Sequence, residues 1–194
     1  MEPTINKLRL GAMDNCVYIV SSPTTQRGVI VDAAAEPDRI LAACAGLQIE
    51  SILTTHGHHD HTGAVDDVRE ALDIPFRLHP ADRDIAGRAP DVPLEDGEEI
   101  VLNDVTITTI HTPGHTPGST CFLVDGSLLT GDTLFPGGPG ATRWDYSDFD
   151  QIMDSVEVRL MVYPDGTPIR PGHGEDTSVG TERPHLEEWR ERGW

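Results

Sequence analysis

Short β-branched runs alternate with segments of helical periodicity along this chain. Runs at 17–20 and 28–31 predict strands. Apolar side chains spaced three and four residues apart over 36–47 predict a helix. The other predicted strands are 49–55, 74–78, 100–102, 105–110, 120–124, 128–130 and 168–170. The other predicted helices are 62–72, a short one that opens at 80–82, 149–162 and 184–192, with loops over 89–97 and 136–140.

The order of these elements, with strands and helices alternating in each half, is typical of an α/β fold. Each half supplies a sheet with helices on one side. The simplest layering therefore packs two mixed sheets face to face with helices outside, although periodicity alone does not choose it. Because no linker, low-complexity tract or short repeat divides the sequence, we expect a single domain over residues 1–194.

The composition narrows the range of partners. The 194 residues include 33 acidic and 14 basic side chains, so the net charge is −19, and Lys7 is the only lysine. Nucleic acids and anionic membranes attract clustered Lys and Arg, so neither is an expected partner. The charge favours solubility, and 37% hydrophobic residues suffice for a sizeable core. We expect a monomer or a homodimer that acts on a small molecule.

The cysteines and the N-terminal residues indicate the compartment. Cys16, Cys44 and Cys121 are odd in number, far apart and without a Cys-x-x-Cys pair, which is typical of a reducing environment. Residues 1–10 lack the apolar core of a signal peptide. No run approaches the ~20 apolar residues that cross a bilayer. We therefore expect a cytoplasmic protein.

Four metal-ligand side chains occur within six positions directly after a predicted strand. His56 and His58 are two residues apart in an extended segment, so they can project to the same side. Asp60 and His61 fall at the start of a helix and can enter the same cavity from another angle. This stretch can therefore touch two metal ions. His59 lies among inward-pointing neighbours, and we expect its side chain to point outward.

Three further candidate ligands follow later strands in turns rich in Gly, Pro or Thr. They are His115 in segment 112–118, Asp132 in segment 130–133 and His173 in segment 170–174. Together with the first cluster they make five imidazoles and two carboxylates. This donor set suits zinc, iron or manganese and does not suit calcium, which prefers oxygen ligands alone.

The remaining polar candidates lack this context. We expect His79, His111 and His185 to be structural or exposed. Asp32 ends a predicted strand, so it is either a hydrogen-bond partner of a ligand histidine or a cap of the strand end.

The segments 55–63, 112–118, 130–135 and 171–174 resemble, in sequence and order, the metallo-β-lactamase superfamily and within it the small glyoxalase II-like hydrolases. The resemblance implies a four-layered αββα sandwich with the site at one edge. It also implies two divalent metal ions, with zinc favoured over iron or manganese. The implied ligands are His56, His58 and His115 for one metal, Asp60, His61 and His173 for the other, and Asp132 bridging both.

The activity implied by the resemblance is that of a glyoxalase II-like thioesterase. In such an enzyme, a hydroxide between the two metals attacks the carbonyl of a small-molecule thioester. The implied substrate is S-lactoylglutathione or an analogue built on mycothiol or bacillithiol. Asp60 would have a catalytic role, because a carboxylate that binds metal can also orient the hydroxide.

Several alternatives stay open. A persulfide dioxygenase would hold one iron on His56, His115 and Asp132. A lactone or ester hydrolase of the same superfamily is a further possibility, and a catalytically silent metal-binding protein is disfavoured because no implied ligand is missing. Asp132 argues against antibiotic hydrolysis, since one class of secreted lactam-cleaving relatives carries a cysteine there. Many small relatives have a Gly-Arg pair near residue 140, and this chain departs from it, so Arg143 is assigned no substrate role.

Overall fold

The computed structural model of the chain describes residues 2–193. Two six-stranded sheets dominate it, with strand orders β1-β2-β3-β4-β5-β6 and β14-β13-β10-β9-β8-β7, and β11 and β12 form a small hairpin. The strands are β1 Thr4–Leu10, β2 Asn15–Ser21, β3 Arg27–Val31, β4 Gln48–Leu53, β5 Phe76–Leu78, β6 Val92–Pro93, β7 Glu99–Leu102, β8 Val105–His111, β9 Thr120–Val124, β10 Ser127–Gly131, β11 Leu134–Phe135, β12 Gly138–Pro139, β13 Pro168–Pro171 and β14 Thr177–Ser178.

Short helices connect and cover the strands. They are α1 Pro37–Ala43, α2 His59–Thr62, α3 Val65–Leu72, α4 Arg83–Ala86, α5 Phe149–Ser155, α6 Val179–Glu182 and α7 Leu186–Arg192. A π-helical turn, Val156–Leu160, continues α5, and two 3₁₀ turns cover Pro80–Asp82 and Arg183–His185. Within residues 2–193, the helices are all too short or too polar to span a bilayer.

Alternation along the strands produces the layers. In β2, Val17 and Ile19 face one core, which also contains Val65 and Val68 of α3. Tyr18 and Val20 face the opposite side and pack in the core between the two sheets. This alternation is what a strand buried on both faces requires, because successive side chains point to opposite sides.

The second sheet is covered in the same way. Its inner face contributes Ile107 and Phe122 to the core between the sheets, and its outer face packs under Met153 of α5 and Trp189 of α7. Helices therefore lie outside each of two facing sheets. The predicted α/β class and the four-layered αββα sandwich are both confirmed.

The sequence pattern missed the seven-residue edge strand β1 and the four two-residue strands β6, β11, β12 and β14. Of these, β6 and β12 lie in segments predicted to be loops, and β11 and β14 lie outside every predicted element. Edge and two-residue strands carry little apolar periodicity, because one side of each is left to solvent or to a turn. The helix predicted over 36–47 is also shorter, since the chain leaves α1 after Ala43 and joins the sheet at Gln48.

The parallel strands bring the candidate segments to one edge. β4 runs parallel to β3 and β5, and β10 runs parallel to β13, so the chain leaves β4, β10 and β13 towards the site. Backbone hydrogen bonds join the segments there. Thr120 N donates to Thr55 O at 2.8 Å, Gly172 N to Gly131 O at 2.8 Å, and Cys16 N to Gly172 O at 2.7 Å.

Candidate metal centre

The loop after β4 contributes four of the seven candidate side chains. Thr54 to Gly57 are buried, and α2 begins at His59, so His58 stands at the helix N-cap position. His56 and His61 are buried, whereas Asp60 is half-buried. His59 is exposed, which confirms the outward orientation predicted for it.

Three histidines form the first group of facing ligand atoms. Nε2 of His56 lies 3.0 Å from Nδ1 of His58, and Nε2 of His115 lies 3.1 Å from the same Nδ1. The structure therefore brings together two residues of the first sequence cluster and one residue 57 positions further along the chain. Three imidazole nitrogens that meet at one point could hold a metal ion.

The second group combines two histidines with a carboxylate. Nε2 of His61 lies 3.1 Å from Nε2 of His173, and Oδ2 of Asp60 lies 3.3 Å from the latter nitrogen. Asn15 donates from its side-chain amide to Oδ2 of Asp60 at 2.9 Å and so fixes that carboxylate. This group could hold a second ion.

Asp132 lies between the two groups. Its Oδ1 is 3.3 Å from Nε2 of His61, and its Oδ2 is 3.6 Å from Nε2 of both His115 and His173. Oδ1 is buried and has no hydrogen-bond partner. A buried carboxylate oxygen without a partner is costly, so this atom needs a cation.

The outer hydrogen bonds of the imidazoles identify the inward lone pairs. Nδ1 of His115 lies 2.8 Å from Ala141 O, and Nδ1 of His173 lies 2.8 Å from Met13 O. Carbonyl oxygens only accept, so each Nδ1 donates and each Nε2 is left to face the centre. Such nitrogens repel one another at these distances unless a proton or a metal cation stands between them. The residues therefore fit a divalent metal.

The three histidines of the first group favour their neutral form. Burial lowers the pKa of His56 well below its usual value, and the nearby charge of His61 acts in the same direction. Burial, with His115 nearby, lowers the pKa of His58 to about 4. Burial also lowers the pKa of His115. Neutral imidazole is the form that binds metal, so this group is ready for a cation.

The second group carries the opposite electrostatics. Burial alone would lower the pKa of His61, but Asp132 and Asp32 outweigh it and raise that pKa well above its usual value. Burial is likewise outweighed at His173, where Asp132 and Asp60 raise the pKa to about 10. Burial would raise the pKa of both carboxyl groups, yet the facing imidazoles lower both. Without metal, protons therefore take the place of the cation.

An open cavity of about 380 Å³ borders the cluster. Met13, Phe135 and Trp144 give it an apolar wall, and Arg143 lies at the same side with its guanidinium 4.8 Å from the Trp144 ring centre. A larger depression of about 630 Å³ beside α3 lies away from these residues. The cavity beside the imidazoles is the one that can present a substrate to them.

Besides Asn15, sequence reasoning missed two further contributors to the site. Tyr146 places its hydroxyl 2.8 Å from Nε2 of His58 and stacks on Trp144. Asp82 binds backbone of both loops that supply the first histidine group. Neither residue belongs to a metal-ligand motif, and the only local signal was the expected short helix at 80–82 that carries Asp82.

The sandwich with imidazoles and carboxylates at one edge defines a candidate metal-binding protein. The sequence profile described as "Metallo-beta-lactamase superfamily" matches residues 11–173, and the chain belongs to this superfamily. Members of this superfamily bind divalent metals, and the His and Asp cluster described above could hold such ions.

Two relatives show the range of similar sequences. An uncharacterized protein of Aquifex aeolicus is 34% identical over 189 residues, which cover 87% of this chain and 88% of that protein. A hydroxyacylglutathione hydrolase of Alkalilimnicola ehrlichii is 30% identical over 161 residues, which cover 82% of this chain and 61% of that enzyme.

Three solved structures are similar in fold and in sequence. TTHA1623 in a di-iron-bound form is 32% identical with a TM-score of 0.81, covering 92% of this chain and 96% of its own. BLEG-1 B3 metallo-beta-lactamase is 28% identical with a TM-score of 0.83, covering 94% and 98%. ETHE1 from Myxococcus xanthus is 26% identical with a TM-score of 0.84, covering 94% and 83%.

Proposed function

We propose that this protein is a binuclear metal-dependent hydrolase that cleaves a thioester of a small thiol. The observation that carries the proposal is the position of Asp132 between two groups of facing ligand atoms, with its buried Oδ1 unpartnered. One group would hold a metal through His56, His58 and His115. The other would hold a metal through Asp60, His61 and His173, and Asp132 would bridge the two.

Divalent metals bound there, zinc being our first choice, would polarise the substrate carbonyl and supply hydroxide at neutral pH. The chain's own residues do the rest. Asp60 has one oxygen fixed by Asn15 and His173, so its carboxylate can orient a water molecule for attack. The outer hydrogen bonds to Ala141 O and Met13 O hold two imidazoles in the tautomer needed for binding.

The adjoining cavity supports a small substrate. The apolar wall of Met13, Phe135 and Trp144 suits an acyl chain or a thioester sulfur, which are weakly hydrated. The likeness to a hydroxyacylglutathione hydrolase supports the same class of substrate. We propose S-lactoylglutathione, or its mycothiol or bacillithiol analogue, as the first compounds to test. A cytoplasmic location remains part of this proposal.

A persulfide dioxygenase is the second candidate, supported by the likeness to ETHE1. It would need one iron on His56, His115 and Asp132, whose ligand atoms also approach one another. The second group, Asp60, His61 and His173, is equally well arranged, but its presence does not separate the two candidates. Hydrolysis is our first candidate because of the likeness to a hydroxyacylglutathione hydrolase, and metal analysis separates the two.

The test is metal analysis of protein purified without added metal, followed by activity assays on the same sample. We expect two metal ions per chain and hydrolysis of at least one small-thiol thioester. His58→Ala should abolish turnover and reduce the metal content, whereas His185→Ala, at an exposed position before α7 and away from this cavity, should leave both unchanged. One iron per chain with oxygen uptake on a persulfide would favour the second candidate. Hydrolysis confined to lactams or lactones would overturn the thioester assignment.

A further inference from the structure

Asp82 is a fully buried carboxylate outside the metal cluster. It ends the 3₁₀ turn Pro80–Asp82 after β5, and 0% of its surface is exposed. Its Oδ2 accepts hydrogen bonds from Gly57 N at 2.8 Å and from the Thr116 hydroxyl at 2.6 Å. Its Oδ1 accepts one from Gly118 N at 2.6 Å. A buried carboxylate is tolerated only with such partners, so this arrangement is a built feature of the fold.

The three donors belong to two different ligand loops. Gly57 lies between His56 and His58, whereas Thr116 and Gly118 lie one and three residues after His115. One carboxylate therefore ties together the loops that supply all three histidines of the first group. The strand ends are already joined by the bond from Thr120 N to Thr55 O. Asp82 provides the second link between the loops, nearer to the imidazoles in sequence.

The close approach depends on glycine at both loop positions. A Cβ at Gly118 would lie 2.7 Å from Oδ1 of Asp82, and a Cβ at Gly57 would lie 2.8 Å from the Asp82 backbone oxygen. Distances below about 3 Å are not tolerated between such atoms, so any other residue would push the loops away from Asp82.

We propose that Asp82 is a positioning residue that sets the spacing between the His56–His58 loop and the His115 loop. This spacing determines how tightly His56, His58 and His115 bind their metal ion. The inference rests on the proposed metal assignment but not on the proposed substrate. Asp60, His61 and His173 are instead hydrogen-bonded to Asn15, Asp32 and Met13 O, respectively, so the second metal should be insensitive to Asp82.

Asp82→Asn is the sharpest variant because it keeps the size of the side chain. The carboxylate offers acceptors in both directions, whereas an amide offers one oxygen and one NH₂ group. In either orientation, the NH₂ group faces a backbone N–H, that of Gly57 or that of Gly118. With the NH₂ group towards Gly57, the His56–His58 loop loses its link to residue 82. With it towards Gly118, the His115 loop keeps only the bond from Thr116.

The experiment measures Zn²⁺ affinity by competition with a chromophoric chelator, starting from metal-free protein. In a His173→Ala background, which keeps only the first group intact, Asp82→Asn should weaken Zn²⁺ binding ~10- to 100-fold. In a His115→Ala background, which keeps only the second group, it should change the affinity less than twofold. Asp84→Asn is the matched control, since Asp84 lies two residues further on, in α4, with its side chain 86% exposed.

If Asp82→Asn folds poorly, Thr116→Val tests the same proposal. It removes one hydrogen-bond donor to Asp82 and leaves the bonds from Gly57 N and Gly118 N in place. We expect an intermediate loss of affinity, again confined to the first group. Equal losses in both backgrounds, or no loss in either, would overturn the proposal. If the selective loss is found and no thioester is cleaved, Asp82 keeps its assigned role and only the substrate assignment falls.

Discussion

Oδ2 of Asp32 lies 2.9 Å from Nδ1 of His61, and both side chains are buried. The same carboxylate accepts from Thr55 N at 2.8 Å through Oδ1 and from the Thr55 hydroxyl at 2.8 Å through Oδ2. Asp32 therefore fulfils both roles that the sequence left open, as partner of a candidate ligand and as cap of the strand end. It directs Nε2 of His61 towards Asp132 and His173.

Asp32→Asn should weaken metal binding ~10- to 100-fold, because an amide can present NH₂ to Nδ1 of His61 and reverse its tautomer. Asn tolerates the left-handed backbone that Asp32 adopts at φ 59°, so the strand end should survive. Chelator competition measures the change, with the exposed Asp38→Asn in α1 as control. An unchanged affinity would show that the Asp32 contact only caps the strand.

The seven candidate ligands could be found from sequence because each lies in a short local motif after a strand. Their approach to one another at one edge was implied by the resemblance. In the structure, parallel pairing brings the ends of β4, β10 and β13 to that edge, and His115 reaches it from the end of the antiparallel strand β8. The layering did not follow from periodicity and came from the resemblance. Partners such as Asp82 and Tyr146 could not be found, because their contacts join segments 25 to 88 residues apart and leave no local pattern.

Tyr146→Phe should weaken metal binding about two- to tenfold, the value of one hydrogen bond to a half-exposed group. The hydroxyl lies 2.8 Å from Nε2 of His58 and holds the ring so that Nδ1 faces the cluster. Phenylalanine keeps the stacking on Trp144, so the cavity wall should remain. Zinc affinity and KM measured together separate the two effects. A higher KM at unchanged zinc affinity would instead make Tyr146 a substrate contact.

Tyr163→Phe is the control for this prediction. Tyr163 packs against the core on the helical side of the second sheet, so its hydroxyl has no route to the imidazoles. It should leave zinc affinity and KM unchanged.

Gly172→Ala should remove most of the bound metal. The new Cβ would lie 2.4 Å from Oδ1 of Asp132 and 2.7 Å from Cε1 of His61, so both side chains must shift. Gly166→Ala is the matched control, because its Cβ would meet no atom within 4 Å. Metal content after gel filtration distinguishes the two variants. Equal metal content in both would mean that the cluster tolerates displacement of Asp132.

The His79–His111 stack should make the fold sensitive to mild acid. The ring centres are 4.1 Å apart at 9°, and burial followed by the charge of His111 lowers the pKa of His79, although Asp82 and Asp96 oppose this. The native state then prefers neutral His79, so the unfolded chain takes up the proton first as the pH falls below about 6.5. Stability is therefore complete above that pH and declines below it.

His111→Gln should reduce this decline, because it removes the like charge facing His79. The free energy of unfolding in denaturant, measured at pH 7.5 and 5.5 with a chelator present, gives the slope. His185→Gln, at an exposed position before α7, removes one histidine without touching the stack and should keep the wild-type slope. A His111→Gln slope equal to that of the wild type would rule out the stack as a source of acid sensitivity.

Salt should stabilise this protein. The 33 acidic side chains outnumber the 14 basic ones by 19, and this excess of negative charge repels itself in the compact state. Raising KCl from 0.1 M to 1 M shortens the screening length from about 10 Å to about 3 Å. Surface ion pairs weaken too, but each contributes only about 0 to 1 kcal/mol. The thermal midpoint should therefore rise with salt.

A double variant, Glu70→Gln with Asp73→Asn, removes two exposed charges at the end of α3 and should show a smaller rise in the thermal midpoint. A midpoint that falls with KCl, or an equal rise in the double variant, would contradict charge repulsion as the cause.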